Sequence, residues 1–371
     1  MNLDQLKFRI GLTLIHGIGN NLAKNLIAYL GNEEAVFKEK ARTLAKVPGI
    51  GNTLAREITN NFHVLERAEK EIEFMNKHGV GYCYYADDNY PHRLRECFDA
   101  PLILYNRCNH DLNQGRFIGI VGTRNATEYG KENCNRLIAD LKSIDNVVIM
   151  SGLAYGIDIC SHKAALDNDI PTIGVIAHGL DRIYPGAHHS VARRMTEKGG
   201  LITEYLSGTN PDRQNFVQRN RIIAGMSDVV VVVESGPKGG ALITAELAND
   251  YNREVLAFPG RNTDEWSKGC NSLIKRNKAM LIDSAADLVQ LMGWEKTGNS
   301  KKQKQIQLFH ELSVEEQKVV AMLQHNDSGL QVNEMVHISS LSYHKLSSLL
   351  LELEFKGLVN VLPGKMFSFV N

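Results

Sequence analysis

The feature that most constrains the fold of this chain is a regular alternation of short apolar runs and helical segments that begins at Phe117. Apolar stretches rich in β-branched residues lie at 117–122, 147–151, 171–176, 200–203, 228–234 and 254–258. Helical patterns lie between most of them, at 128–143, 157–168, 188–198, 215–226 and 240–251. Strands and helices of these lengths form βαβ units with right-handed crossovers. The pattern therefore predicts an α/β fold with a doubly wound, mostly parallel sheet.

The N-terminal segment contains an internal repeat. Two glycines flank one isoleucine at Gly17 and Gly19, and the same arrangement recurs at Gly49 and Gly51, each time before a helical pattern. This is typical of tandem helix-hairpin-helix motifs, whose backbone N–H groups can hold a DNA phosphate without reading sequence. Alternatively, the turns only pack a small helical domain or contact a protein. Neither turn contains a Lys or Arg, so both interpretations remain open.

Composition shifts divide the 371 residues into four predicted parts. An all-α domain occupies 1–65, and a charged linker helix with the sheet domain occupies 66–296. In the latter, an extended lead-in with one short helix precedes Phe117. Residues 297–309 are polar and basic without apolar periodicity, which predicts a flexible linker. In 310–371, three helical patterns precede two short strands, which is typical of a winged helix.

Composition also limits the partners and the compartment. Lys plus Arg and Asp plus Glu each number 42, so a nucleic-acid site must be a local patch. The six cysteines include no Cys-x-x-Cys pair, which argues against a zinc site or disulfide framework and favours a reducing cytosol. The N-terminus has no apolar leader, and the longest β-branched run is too short to span a bilayer. We therefore expect a cytoplasmic protein without a metal or membrane contact.

Three strand ends carry loops rich in glycine and small polar residues, at 122–125, 151–158 and 234–244. Ligands of open α/β sheets bind outside the carboxyl ends of the strands, and free N–H groups at helix starts favour anions. Together the loops predict a broad anion-binding crevice. None has the G-x-G-x-x-G fingerprint of dinucleotide-binding proteins or a P-loop, so we expect no bound cofactor.

A cationic helical segment adds to this crevice. Arg213, Phe216 and Arg219 are spaced i, i+3 and i+6 and would share one helix face, opposite Ile222 and Ile223. Such a stripe suits nucleic acid, because guanidinium groups neutralise phosphates while a ring stacks on a base. The alternative is a solvated cationic face with Phe216 turned into the core, and the pattern alone narrowly favours that alternative.

Catalytic groups are harder to find. The chain has no G-x-S-x-G elbow and no H-E-x-x-H motif. Glu246 follows the third loop and could act as a general base, although a salt bridge on the helix surface is the more ordinary role for it.

Six motifs occur in the order and spacing of the DNA-processing protein A (DprA/Smf) family, which the chain resembles over about residues 80–290. They are Val121–Arg124, Ser151–Asp158 with His162, Gly179–Asp181 with Tyr184 and Pro185, Phe216–Gly225, Leu242–Ala245, and Pro259 with Gly260. A small helical N-terminal domain and a winged C-terminal domain occur in many members and fit the flanking parts.

The resemblance implies an extended Rossmann domain and a non-enzymatic recombination mediator. Such a protein binds and protects incoming single-stranded DNA in natural transformation, loads the RecA recombinase onto it, and commonly dimerises through the Rossmann domain. The implied DNA contacts are Gly122, Thr123, Arg124, Gly152, Arg213, Phe216, Arg219, Asn220, Arg221, Lys238, Gly239 and Gly240. The hairpin motif separately predicts secondary backbone phosphate contacts at Gly17, Gly19, Gly49 and Gly51. The sequence departs from the family pattern at Val217, where a Pro is usual, at His178, where a small residue is common, and at Gly239–Ala241.

Two other functions stay open. Related Rossmann proteins hydrolyse nucleotides, and Glu246 could imitate their catalytic Glu, but the preceding loop lacks their Pro-Gly-Gly-x-Gly-Thr pattern. Alternatively, the winged helix contacts DNA. Its third helix combines Lys345 with Glu352 and Glu354, which is little cationic character for groove binding, so we expect a protein-contact or dimerisation role there.

Overall fold

The structure, a computed structural model, describes residues 3–294, 312–324, 330–339, 341–356, 358–362 and 366–369. The chain forms two compact units, Met1–Gly298 and Asn299–Asn371. The predicted boundary at residue 65 falls within the first unit, and the predicted linker at 297–309 lies outside the described residues. In the described part of the chain, no helix is long and apolar enough to cross a lipid bilayer.

The first unit is built on a nine-stranded sheet. Its strands are β1 Gly81–Tyr84, β2 Ile103–Cys108, β3 Arg116–Gly122, β4 Val147–Ser151, β5 Thr172–Val175, β6 Gly199–Thr203, β7 Val229–Glu234, β8 Glu254–Ala257 and β9 Met280–Leu281. They are ordered β1-β2-β6-β5-β4-β3-β7-β8-β9. In this order, every neighbouring pair from β6 through β5, β4, β3, β7 and β8 to β9 is parallel. The predicted doubly wound, mostly parallel sheet is confirmed.

Fourteen α-helices are described in this unit. They are α1 Leu3–Thr13, α2 Asn20–Leu30, α3 Glu33–Lys38, α4 Ala41–Leu44, α5 Asn52–Asn60, α6 His63–His78, α7 His92–Arg95, α8 Glu128–Leu141, α9 Ile157–Asp167, α10 His189–Glu197, α11 Arg213–Met226, α12 Gly240–Asp250, α13 Lys268–Lys275 and α14 Ala285–Leu291. Helices α8 to α12 alternate with β3 to β8, as the sequence periodicity predicts.

The extended lead-in before Phe117 becomes part of the sheet. Strands β1 and β2 pair antiparallel with each other, and β2 pairs antiparallel with β6. Local sequence indicates extended chain here but does not indicate the partner strand, because pairing depends on contacts distant in sequence.

The strand order reverses at β3. From there the sheet extends one way through β4, β5 and β6, and the other way through β7, β8 and β9. The loops that follow β3 and β7 therefore diverge at the switch point, where a ligand crevice opens in folds of this kind. Strand β7 is buried along its whole length, which explains its run of five consecutive valines.

The two N-terminal hairpins pack against each other. Gly17 and Gly49 have left-handed backbones with φ of 79° and 84°. A Cβ on Gly17 would lie 2.8 Å from Cδ2 of Leu54, and a Cβ on Gly49 would lie 2.8 Å from Cδ2 of Leu22. Each turn is thus covered by a leucine from the other copy of the repeat, so the two copies form one packed unit.

The helical segment is fixed to the sheet. The Asn20 side chain accepts a hydrogen bond from the backbone N–H of Leu102 at 3.1 Å, and Nζ of Lys24 donates to the carbonyl of Ala100 at 2.8 Å. The Arg9 guanidinium lies 3.8 Å from the centre of the Tyr84 ring. One apolar core runs through both parts.

The second unit contains α15 Val314–Gln324, β10 Leu330–Gln331, α16 Val332–Ser339, α17 Tyr343–Phe355, β11 Val359–Leu362 and β12 Met366–Phe369. The strands form a small antiparallel sheet in the order β10-β12-β11. Three helices with a terminal hairpin are the predicted winged helix.

Candidate nucleic-acid interface

A cation and two aromatic rings meet at the carboxyl ends of the strands. The guanidinium carbon of Arg124, in the loop after β3, lies 5.2 Å from the centre of the Phe216 ring on α11. The Tyr184 ring, in the loop after β5, is centred 5.9 Å from the Phe216 ring. Arg124 and Tyr184 are exposed, and Phe216 is half-buried. An anionic group bound at Arg124 would therefore lie beside an aromatic surface.

A buried carboxylate holds the loop that carries Arg124. Glu234 ends β7, and its side chain accepts hydrogen bonds from the backbone N–H of Thr127 at 2.9 Å and from the Thr127 hydroxyl at 2.6 Å. Its carbonyl accepts from the N–H of Thr123 at 2.7 Å. The Thr127 hydroxyl oxygen also caps α8 by accepting from Gly130. Sequence reasoning missed this role of Glu234, although an acidic residue ending an all-valine strand is a usable signal.

The first two loops interlock through glycines. Gly156 has a left-handed φ of 77°, and a Cβ there would lie 2.1 Å from the carbonyl oxygen of Thr123. A Cβ on Gly122 would lie 2.4 Å from Cγ1 of Ile157, whose N–H donates to the same Thr123 carbonyl at 3.2 Å. The residues Gly122 and Thr123 therefore hold the two loops together at the crevice.

The structure corrects the predicted position of Arg219. Its side chain is only 3% exposed, and Nη1 donates to the carbonyl of Gly152 at 2.6 Å and to that of Val175. Burial lowers the pKa of Arg219 to about 10, and the nearby carboxylate of Asp158 opposes that shift. The DNA contact predicted for Arg219 stays a prediction, but the Arg–Phe–Arg stripe does not reach the surface at this residue. The physical reason is that the carbonyls where β4 and β5 end need donors, and one guanidinium supplies them.

Arg221 and Asn220 also make hydrogen bonds within the protein. The Arg221 guanidinium pairs with the carboxylate of Glu204 and donates to the carbonyl of Asp99 at 2.6 Å. Nδ2 of Asn220 donates to the carbonyl of Gly240 at 3.4 Å and joins α11 to α12. The charge of Arg221 is therefore compensated within the protein, and its predicted DNA contact stays a prediction.

Three cations of the crevice remain exposed. Arg124, Arg213 and Lys238 have no carboxylate at ion-pair distance among the residues that the structure describes. Lys238 and Gly239 lie exposed just before α12, and the exposed Gly240 is its first residue; the first turn of this helix carries no acidic residue. An anionic chain crossing this edge would meet unpaired positive charge at each of the three.

The four hairpin glycines are exposed at the surface of the helical segment. The first pair, Gly17 and Gly19, precedes α2, and the second pair, Gly49 and Gly51, precedes α5. The phosphate contacts predicted for these four glycines stay predictions.

The candidate catalytic groups have structural positions. Glu246 lies exposed on α12 and pairs with Lys278 at 3.1 Å, which is the surface salt bridge that the sequence favours for it. Burial lowers the pKa of His162 to about 3, and its Nδ1 lies 2.7 Å from the Thr172 hydroxyl. In the described ranges, no three or more His, Cys, Asp or Glu side chains are placed to hold a metal ion.

The fold and the crevice define a class: an extended Rossmann protein with a cationic and aromatic surface at its strand ends, carrying a winged helix. Comparison with known families specifies it further. The model of DNA recombination-mediator protein A matches residues 81–293, and that of the DprA winged helix domain matches residues 309–365. The chain therefore belongs to the DNA-processing protein A (DprA/Smf) family.

Individual relatives agree with this assignment. Protein Smf of Synechocystis sp. is 31% identical over 95% of this chain and 96% of its own length. The structure of DNA processing protein A from Streptococcus pneumoniae matches with a TM-score of 0.66 at 31% identity, covering 78% of this chain and 97% of that one. The Helicobacter pylori protein, described for its unique single-stranded DNA binding mode, matches with a TM-score of 0.53 at 28% identity, over 58% of this chain and 97% of its own.

Proposed function

We propose that this protein is a recombination mediator that holds single-stranded DNA in the crevice at the strand ends, protects it, and loads RecA onto it in natural transformation. The observation that carries the proposal is the exposed Arg124 guanidinium beside the Phe216 ring. A single strand offers a charged phosphate and an unpaired base, and a cation beside an aromatic ring can bind both. The single-stranded DNA binding described for the Helicobacter pylori relative supports the same role.

The geometry suits a strand that is held without being read. Arg124, Arg213 and Lys238 would neutralise backbone phosphates, while Phe216 would stack on a base. Neither contact distinguishes one base from another, so binding should tolerate any sequence. Binding should also weaken as salt rises, with a slope of log K against log salt of roughly −0.7 for each phosphate neutralised.

Fluorescence anisotropy with labelled oligonucleotides tests the crevice. We expect Arg124→Ala and Arg213→Ala each to weaken binding of all sequences alike, by on the order of 1 kcal/mol or more, and to lower the salt slope. The matched control is Arg194→Ala. Arg194 lies in the last turn of α10, which leads into the start of β6, and it pairs with Asp167. A folded Arg124→Ala, Arg213→Ala double variant that binds as tightly as the natural protein would show that the site is elsewhere.

We propose further that two copies associate through the Rossmann domain. Strand β9 is the last strand of the sheet, and its side chains Met280 and Leu281 are 39% and 51% exposed. An open strand edge with exposed apolar side chains favours pairing with a second copy. Sedimentation should give a dimer that Leu281→Glu converts to a monomer. A natural protein that sediments as a monomer at all concentrations would contradict this.

RecA loading and the domain roles rest on the same proposal. We place the protein in the cytoplasm, where it would meet RecA, and give the winged helix at 310–371 a protein-contact role. RecA filament formation on DNA coated with a single-strand-binding protein should be accelerated by the natural chain and not by Arg124→Ala. Limited proteolysis should cut between 297 and 309. Duplex binding by an isolated 310–371 fragment would reassign the winged helix.

We propose that no bond is broken at the crevice. Glu246 carries a surface ion pair and would have to leave it to act as a base. Incubation with nucleoside monophosphates should release no free base. Release that disappears in Glu246→Gln would replace the mediator proposal with a hydrolase.

A further inference from the structure

Two exposed tyrosines lie at the strand ends beside the phosphate contacts proposed above. Tyr184, in the loop after β5, is 47% exposed, and Tyr155, in the loop after β4, is 51% exposed. Neither hydroxyl has a hydrogen-bond partner in the described part of the chain. By contrast, Tyr129 is similarly exposed, but its hydroxyl donates to the carbonyl of Pro259 at 2.7 Å. The hydroxyls of Tyr184 and Tyr155 therefore do not tie their loops to another element, as that of Tyr129 does.

A buried histidine, His178, hydrogen-bonds to the backbone of Tyr184. The backbone N–H of Tyr184 donates to Nε2 of His178 at 3.2 Å, and Nδ1–H of His178 donates to the carbonyl of Gly179 at 2.9 Å. This arrangement requires a neutral ring, and burial lowers the pKa of His178 accordingly. The residue that departs from the family pattern thus fixes the backbone of Tyr184, while the Tyr184 ring stays in solvent next to Phe216.

Tyr155 is held through the same loop. Its ring packs edge-on against the His188 ring at a centroid distance of 4.9 Å. The buried His188 belongs to the short helix Gly186–His188, only four residues after Tyr184, and its Nδ1–H donates to the carbonyl of Leu153 at 2.8 Å. Histidines of the segment after β5 therefore contact both tyrosines: His178 bonds the backbone of Tyr184, and His188 packs against the ring of Tyr155.

The strand order places the loops of the two tyrosines side by side. Strands β4 and β5 are neighbours in the sheet, and both loops leave the sheet at the same edge. Because β4 lies between β3 and β5, the loop that carries Tyr155 lies between the loops that carry Arg124 and Tyr184. A strand bound at Arg124 and Phe216 that continues along these strand ends would meet both tyrosine rings. Aromatic faces spaced along a path suit unpaired bases, whereas the bases of a duplex are already stacked inside.

We propose that Tyr155 and Tyr184 are base-stacking subsites that extend the single-strand track from Arg124 and Phe216 across the ends of β4 and β5. The proposal rests on the proposed function, since it takes Arg124 and Phe216 as the start of the track. It predicts that the two tyrosines matter only for strands long enough to reach them.

A length series of oligo-dT tests the subsites. Arg124→Ala should weaken binding at every length, whereas Tyr184→Ala and Tyr155→Ala should leave the shortest strands unaffected and weaken longer ones roughly five- to a hundredfold. Tyr184→Phe and Tyr155→Phe should bind as the natural protein does, because the ring carries the stacking. Phe98→Ala is the matched control, because Phe98 is 67% exposed and packs near Tyr251, at the C-terminal end of α12.

An abasic nucleotide placed at successive positions of a long strand sharpens the test. At the position that faces Tyr184, the loss caused by Tyr184→Ala should disappear, because no base remains to stack. Both alanine variants should melt at the temperature of the natural protein.

The outcomes separate the two proposals. Weak binding by Arg124→Ala with natural affinity of both tyrosine variants at all lengths would overturn the subsites and leave the function standing. Natural affinity of Arg124→Ala would remove the start of the track. Failure of the phenylalanine variants to bind normally would assign the tyrosines a role through their hydroxyl groups and overturn stacking.

Discussion

Replacing Arg219 by alanine should damage the fold more than it damages a DNA contact. The substitution removes the guanidinium that donates to the carbonyls of Gly152 and Val175 and leaves both buried acceptors without that donor. It also removes the charge near Asp158, whose carboxyl is itself buried and whose pKa is raised by that burial. The space left behind lies directly under Phe216, whose ring centre is 5.8 Å from the guanidinium carbon.

The magnitude follows from the burial. Removing one partner of a buried charge network costs roughly 3–5 kcal/mol, because the remaining groups stay buried without compensation. At about 2 cal/mol/K of unfolding entropy per residue, a unit of roughly 300 residues should then melt about 5–8 °C lower. Arg219→Lys should recover little of this loss, since one ammonium cannot reproduce the planar fork of donors.

Differential scanning calorimetry and DNA anisotropy on the same preparations test this reasoning. Arg124→Ala serves as the contrasting variant and should lose DNA affinity at an unchanged melting temperature. Arg219→Ala should show the lowered melting temperature first, with any loss of affinity following from a displaced Phe216. If Arg219→Ala melts like the natural protein and still fails to bind DNA, Arg219 is a phosphate contact and our account of its burial is wrong.

Three further predictions concern the supports of the site. Glu234→Gln should cost roughly 1–2 kcal/mol in urea unfolding, because it weakens the hydrogen bonds to Thr127. It should also weaken DNA binding, because those bonds order the loop that carries Arg124; unchanged affinity would contradict this positioning role. The pKa of His162 lies at about 3 in the folded chain, below the usual value of ~6.5, so the unfolded chain binds the proton first and stability should fall by about 1.4 kcal/mol per pH unit below ~6.5. Urea titrations of the natural chain and of His162→Asn should differ in this slope, and equal slopes would refute the assignment. Gly17→Ala should destabilise the chain by roughly 1–2 kcal/mol, because its φ is 79°. Gly19→Ala, with φ of −80° and no atom within 4 Å of its added methyl, should change stability little in the same melting experiment.

Local patterns were sufficient for much of the architecture. The period of the apolar runs predicts β3 to β8 and the helices between them, because a strand buried on both faces must be apolar along its length. The doubled glycine turn predicts two helical hairpins, since left-handed φ values at Gly17 and Gly49 need glycine. The loops at the strand ends likewise follow from the sequence, because parallel strands bring their carboxyl ends to one edge.

Tertiary structure decided which side chains face the ligand. The i, i+3, i+6 spacing shows that Arg213, Phe216 and Arg219 lie near one helix face, but it does not show what that face meets. In the folded chain, the inner end of this face meets the carbonyls at the ends of β4 and β5, so Arg219 turns inward while Arg213 stays in solvent. The roles of Glu234 and of the exposed Tyr184 depend in the same way on residues far away in sequence. Periodicity is a local property of the chain, whereas the contacts of a side chain are set by its neighbours in space.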